Sequence, residues 1–384
     1  MSLHAFLGQK PLFYDVIDYT RMPKVYARIA PFFKHPKNIH IIGTNGKGTT
    51  GRFLAQMLRS QGLHVGHYTS PHILHFNERI WIDGRDVCDE TLERAHRQLR
   101  ALLHDEEALA LSYFEYTTLL AMVLFCEHCE YVVLEAGLGG EFDATHVFPK
   151  MLSIVTPIGY DHQAFLGESI DAIATTKLNS IATDFVIAKQ YEERVYTLAR
   201  EKAMSLHVKM VEVDAFLEEK SSLAIAQHAH NVGYPPYLHD NFCTAFAALT
   251  FLGYDINLDS IDFMTLHGRY ERVLPNVHVD VGHNPMAAQA LREAVGAKKV
   301  ILVYNSYADK EVALILEILK PIIESLEIID IESSRAMKRA DLIHITQTLG
   351  LAVRSYETID TTKEYVVFGS FSVVEAFMKG QRER

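Results

Sequence analysis

The stretch Gly43-Thr44-Asn45-Gly46-Lys47-Gly48-Thr49 decides the reading of this 384-residue chain. Before it stands an apolar run with Ile39, Ile41 and Ile42, the pattern of a buried strand. After it, Phe53, Leu54, Met57 and Leu58 recur at helical spacing. A glycine-bearing turn from strand to helix aims backbone N–H groups and the positive helix end at one point, which suits an anion. Lys47 adds a point charge, and the Thr49 hydroxyl is a ligand type for Mg²⁺. Asn45, Gly46, Lys47, Gly48 and Thr49 are therefore the candidate residues for nucleotide phosphates. The stretch departs from the usual phosphate-loop spacing twice. Ile41 stands where the first glycine falls, and Gly48 separates Lys47 from Thr49. A tight turn with no ligand is the plainer reading, but the order strand, loop, lysine, hydroxyl, helix favours phosphate.

Length predicts two domains. A hydrophobic content of 48% and a charged content of 22% describe a soluble globular protein. No apolar stretch is long enough to span a bilayer. The start, Met1-Ser2-Leu3-His4-Ala5-Phe6, lacks the profile of a secretory signal. A cytoplasmic protein with no membrane partner is the expectation. The net charge of −11 argues against nucleic acid as a partner, though not against ATP, which needs only a few local cations. Cys126-Glu127-His128-Cys129 has metal-motif or redox spacing, but no second pair accompanies it and it lies late in an apolar helical stretch. Reduced structural cysteines are expected.

Strand-like and helix-like runs alternate. Residues 39–42, 64–68, 131–134, 152–156 and 185–188 read as strands; 49–60, 89–103, 116–126 and 240–252 read as helices. The order restarts with strand candidates at 276–281, 300–304, 328–331 and 365–368, and helices at 285–295, 310–323 and 337–349 between them. This predicts an α/β chain, with helices on both faces of each sheet. A phosphate-loop domain with a mostly parallel sheet spans 1–265, and a smaller Rossmann-like domain spans 266–384. The boundary falls near Asp262–Gly268.

Glu135 ends the apolar run Tyr131-Val132-Val133-Leu134, where an acid in the sheet of a phosphate loop suits Mg²⁺. Its plainer reading is an exposed strand-end acid. The glycines of Ala136-Gly137-Leu138-Gly139-Gly140 favour a close backbone approach. Asp161-His162 follows the next strand, placing His162 as a metal-ligand candidate, although one histidine among 20 is more often structural. Ser70-Pro71-His72 closes the second strand, and Ser70 reads equally well as a helix cap. In the second half, Asp280-Val281-Gly282-His283-Asn284-Pro285 joins strand to helix, with Pro285 suited to the first helical turn.

Taken together, these pieces resemble the folylpolyglutamate synthase/dihydrofolate synthase family, a branch of the Mur ligase superfamily. The resemblance rests on the shared order of Gly43–Thr50, Ser70-Pro71-His72, Phe114-Glu115-Tyr116, Leu134–Gly140, Asp143-Ala144-Thr145, Asp161-His162, Asn241, Gly268-Arg269-Tyr270 and His283-Asn284-Pro285. It implies an ATP-dependent ligase that joins L-glutamate to a dihydropteroate or folate carboxylate. ATP would convert the carboxylate, a poor electrophile, to an acyl phosphate that the glutamate amine attacks.

The resemblance also implies roles. Lys47 and the loop amides would hold the β and γ phosphates. Thr49, Ser70 and Glu135 would serve one Mg²⁺; His162 and a carbamylated Lys177 would serve a second. Asn241 would face adenine and Arg269 the phosphates. Asp280 and His283 would face the nucleotide and the incoming amino acid, which the smaller domain would bind as it closes the cleft. Phe114 would pack against a pterin ring, with Asp143 hydrogen-bonding it. Lys47, His162, Lys177 and His283 are the candidate catalytic residues. A monomer is expected. The chain departs from the family pattern at Thr176-Lys177-Leu178-Asn179-Ser180-Ile181, at Val281-Gly282, and at Tyr304-Asn305-Ser306-Tyr307-Ala308 before Asp309-Lys310. A muramyl-type peptide ligase of the same superfamily and a non-enzymatic ATP-binding switch remain alternatives.

Overall fold

Runs of β-branched and aliphatic residues build the strands. In the first part of the chain these are β1 (Lys37–Ile42), β2 (Val65–Tyr68), β3 (Ile80–Ile82), β4 (Arg85–Asp86), β5 (Tyr131–Glu135), β6 (Leu152–Val155), β7 (Phe185–Ile187) and β8 (Met210–Glu212). In the second they are β9 (Glu271–Leu274), β10 (Val277–Asp280), β11 (Val300–Tyr304), β12 (Ile323–Ile328), β13 (Val353–Ser355) and β14 (Tyr365–Phe368). The structure, a computed structural model, describes residues 1–10, 18–217, 219–258, 261 and 263–382.

The chain divides into two units: Met1–His228 with Asp240–Met264, and Ala229–His239 with Thr265–Arg384. Asp262, where the expected boundary begins, lies outside the described residues, as do 383 and 384. The segment 229–239 goes with the second unit, to which Tyr237 is tied by a 2.7 Å hydrogen bond to Asp280.

Among the described residues, the first unit's sheet runs β4-β3-β2-β5-β1-β6-β7-β8. From β2 to β8 all neighbours are parallel; β3 and β4 turn back antiparallel at the edge. The register brings Tyr68 beside Leu134, Ile41 beside Glu135, and Ile42 beside Val155. The chain therefore leaves β2, β5, β1 and β6 at one edge of the sheet, the position at which open α/β sheets take their ligands. Helix Lys47–Ser60 packs Phe53, Leu54, Met57 and Leu58 out of solvent. Each such side chain contributes about 1.5–3 kcal/mol through burial. Helix Tyr113–His128 is buried in an unbroken run from Glu115 to Phe125, so it is a core helix without a wet face. Its start is fixed by a capping box: Ser112 Oγ accepts from Glu115 N, and Ser112 N donates to the Glu115 carboxylate.

The second unit's sheet runs β13-β12-β11-β14-β10-β9, parallel except for β9. Two expectations are corrected here. The helix read over 310–323 spans only Val312–Leu319, and the strand read at 328–331 lies at Ile323–Ile328. Pro321 has no N–H for a helical bond and crowds the preceding turn. The apolar run therefore tightens into a 3₁₀ turn at Lys320–Ile322 and continues as strand. Cys126 and Cys129 are reduced cysteines, as their setting in an apolar helical stretch leads one to expect. Both thiols are free, and burial pushes both upward, that of Cys126 to about 12.

Candidate functional site

The loop after β1 enters helix Lys47–Ser60 through Gly46, at φ 85°, in the left-handed region where a side chain is strained. Gly46, the N-cap residue, makes no side-chain cap bond, and an anion suits the first N–H groups of such a helix start. A Cβ on Gly46 would meet Asn241 Oδ1 at 2.4 Å, so buried Asn241 lies directly against the loop. Lys47 Nζ donates to the carbonyls of Gly43 (3.3 Å) and Thr44 (3.2 Å) in its own loop. Thr49 is buried at the start of the helix. Asn45 N and Thr44 N both donate to Pro157 O, at 3.2 and 2.9 Å, which fastens the loop to the turn after β6.

Glu135, at the end of β5, is buried. Its Oε2 accepts from Thr69 Oγ1 and, at 3.2 Å, from Ser70 N. The carboxylate thus joins the ends of β5 and β2, and Thr69 is a site residue that the sequence reading missed. Its only signal was its place before Ser70. The loop beyond Ser70 is held by Glu78, whose two carboxylate oxygens accept from Ile73 N, Leu74 N and His75 N at 2.7–2.9 Å.

Lys177 is fully buried on helix Ile170–Leu178, and its Nζ donates to Gly43 O at 2.9 Å. Burial first, and then the nearby Lys47 charge, lower its pKa to about 7. His162 begins helix Gln163–Leu166 with φ 54° and ψ 34°. A non-glycine residue in this region is strained by about 1–2 kcal/mol, a pattern that recurs at functional sites. Its N donates to Asp161 Oδ1 at 2.8 Å, and its Nε2 lies 3.9 Å from Asp161 Oδ2.

The Phe114 ring covers the glycine loop after Glu135. A Cβ on Gly137 would meet Phe114 Cζ at 2.6 Å, so only glycine admits the ring there. Asp143, expected to bond a pterin, accepts four bonds from its own chain: Gly137 N and Leu138 N, and Thr145 N and Oγ1. Four acceptor sites are about all a carboxylate has. Burial raises the Asp143 pKa.

In the second unit, Asp280 ends β10 and ties its own turn together. It accepts from Tyr237 Oη (2.7 Å), Tyr270 N (3.0 Å) and Gly282 N (2.8 Å), and burial raises its pKa. Tyr237 gave no sequence signal, being 43 residues away. His283 is half-buried, with Nδ1 3.0 Å from Val281 O. Asn284 caps helix Pro285–Val295 by accepting from Ala287 N. The Arg269 guanidinium sits over the Phe371 ring at 5.0 Å.

Among the described residues, no group of three or more His, Cys, Asp or Glu side chains could hold a metal ion alone. No helix among the described residues is long and apolar enough to cross a membrane.

An uncapped, lysine-bearing strand–helix loop beside a buried strand-end glutamate defines a phosphate-loop α/β protein. No protein-family model matches the chain. It is similar to the dihydrofolate synthase/folylpolyglutamate synthase of Haemophilus influenzae, 32% identical over 343 residues, which are 80% of this chain and 77% of that protein. The crystal structure of Helicobacter pylori folylpolyglutamate synthetase is 39% identical with a TM-score of 0.80, over 100% of this chain and 98% of that one. A bifunctional folylpolyglutamate synthase/dihydrofolate synthase solved with Mn, AMPPNP and L-glutamate bound is 25% identical, with a TM-score of 0.83 and the same coverage. The chain belongs to the folylpolyglutamate synthase/dihydrofolate synthase family.

Proposed function

We propose that this chain is an ATP-dependent ligase joining L-glutamate to the carboxylate of a dihydropteroate or folate. The observation that carries the reading is the convergence at the ends of β1, β2 and β5. There the uncapped helix start with Lys47 shares a sheet edge with Glu135, itself gripped by Thr69 and Ser70 N, in a chain of this family. The loop amides from Asn45 to Thr49 and Lys47 hold the transferring phosphates, with Asn241 against the loop; Arg269 and Asp280 are the nucleotide-binding candidates among the second unit's own residues. Phosphoryl transfer to the acceptor carboxylate forms an acyl phosphate. The glutamate amine attacks its carbonyl carbon, the C–N bond forms, and inorganic phosphate leaves. No protein nucleophile is needed.

Thr49, Ser70 and Glu135 suit one divalent ion, and His162 and Lys177 a second, with His283 facing the incoming amino acid. Bound metal supplies positive charge that neutralises the transferring phosphoryl group. Lys177 has the chemistry for carbamylation. With a pKa of about 7, it presents near neutral pH the free amine that attacks CO₂ and loses a proton to water, and the product is an anionic ligand. Phe114 covers the acceptor ring, and Asp143 reaches it by exchanging one of its four bonds. Residues 1–265 carry nucleotide and acceptor, and 266–384 carry glutamate, in a cytoplasmic monomer.

Phosphate release from ATP should require both glutamate and an acceptor, tested separately with dihydropteroate and with a reduced folate. Absence of glutamate-dependent release with every such acceptor would overturn the assignment. Lys177→Ala should lose activity and recover part of it with short carboxylic acids. Full activity without them would exclude the carbamate role.

A further inference from the structure

We infer that Gln190 is a positioning residue that sets the phosphate loop and His162 together, from behind the turn that carries both. Gln190 follows β7 and is buried. Its side-chain amide makes three bonds to backbone. Oε1 accepts from Ile158 N at 2.9 Å, and Nε2 donates to Ala188 O at 2.9 Å and to Thr156 O at 3.3 Å. Its own N donates to Tyr196 Oη at 3.0 Å, which fixes the backbone from which the side chain reaches. One amide thus satisfies an N–H and a C=O of the turn after β6, groups that would otherwise be buried and unmade.

The opposite side of this turn is the seat of the phosphate loop. Pro157 O accepts from Thr44 N and Asn45 N. The Thr44 hydroxyl donates to Gly159 O and accepts from Gly159 N, both at 3.1 Å. The same turn runs on through Asp161 to the strained backbone of His162. The hydrogen bonds of Gln190 go to the turn, to its own strand end and to Tyr196, rather than to the loop or the histidine. Gln190 holds the segment between them, so a shift of Ile158 moves the seat of Thr44 and the approach to His162 at once. A displacement of about 1 Å at such a site lowers turnover by up to roughly a hundredfold.

The assignment rests on the proposed nucleotide site, and the experiment separates the two. Gln190→Met keeps length and apolar packing but removes all three bonds; Gln190→Leu is the second variant if Met disturbs folding. Val195→Ala, a buried truncation in helix Glu193–Leu206, is the stability control. Calorimetric titration with Mg–AMPPNP, melting temperature and steady-state kinetics are measured on all four proteins. Gln190→Met and Gln190→Leu should weaken nucleotide binding about tenfold and lower kcat as well. Val195→Ala should lower the melting temperature at an unchanged nucleotide Kd. Gln190 variants that melt lower but keep the wild-type Kd and kcat would overturn the assignment, leaving Gln190 a stability residue only. Wild-type protein that fails to bind Mg–AMPPNP would overturn the nucleotide site, and this assignment with it.

Discussion

The loop Gly43–Lys47 of the first unit and the turn Val281–Pro285 of the second both carry the chain from the end of a parallel strand into a helix, yet they treat the helix start in opposite ways. In the second unit, the Asn284 side chain accepts from Ala287 N and Pro285 removes an N–H altogether. Asp280 takes up Gly282 N. That helix start is closed by its own residues. In the first unit, the N-cap residue is Gly46, which has no side chain with which to cap the helix. Among the described residues, its lysine hydrogen-bonds to carbonyls of its own loop, at 3.2–3.3 Å, contacts that an anion can replace. The same supersecondary unit is thus a finished structural joint in one place and an open anion cradle in the other. What separates them is a capping side chain, not the fold around them.

Four substitutions test that contrast, in descending order of expected effect. Lys47→Ala removes the point charge while breaking only intraloop bonds, so kcat/KM for glutamate ligation should fall by roughly 10² to 10³-fold with the melting temperature little changed. Retained turnover would close the cradle as an explanation. Gly46→Ala places a Cβ 2.4 Å from Asn241 Oδ1 at positive φ. A stability loss of about 1–2 kcal/mol, together with weaker AMPPNP binding by calorimetry, is expected.

Lys177→Met probes the buried amine beside Gly43. Between about 7 and 10.5 the unfolded chain binds the Lys177 proton and the native protein does not, so native stability rises with pH across that window. The wild-type-minus-variant unfolding free energy should climb there by at most about 1.4 kcal/mol per pH unit; a flat difference curve would show the amine to be solvated. Asn284→Ala is the reference for the closed turn. It should cost about 1 kcal/mol in denaturant unfolding and leave the nucleotide Kd where it was.

Much of this was legible in sequence because it depends on local order. The loop, Lys47 and the strand-end acid Glu135 announce themselves by following apolar runs, and Asn284-Pro285 reads as a helix start from residue types alone. What stayed hidden depends on contacts between distant segments. Thr69 meets Glu135 across 66 residues, Gln190 meets Ile158 across 32, and Tyr237 meets Asp280 across 43. None of these carries a local pattern, since a buried polar side chain looks like any loop residue until its partner is placed. The misplaced strand at 328–331 came from reading periodicity through Pro321, where backbone chemistry outweighs the apolar pattern. The resemblance marked Asp143 as a partner for a pterin but not as an acid already holding four donors.

The most direct test of the open cradle is a crystal structure of the protein soaked with Mg–AMPPNP. The β and γ phosphates should lie on the amides of Gly46–Thr49 within hydrogen-bond reach of Lys47 Nζ, with the metal between phosphate oxygens and the Glu135–Ser70 pair. Nucleotide bound elsewhere, or Lys47 still hydrogen-bonded to Gly43 and Thr44 beneath an occupied site, would contradict it.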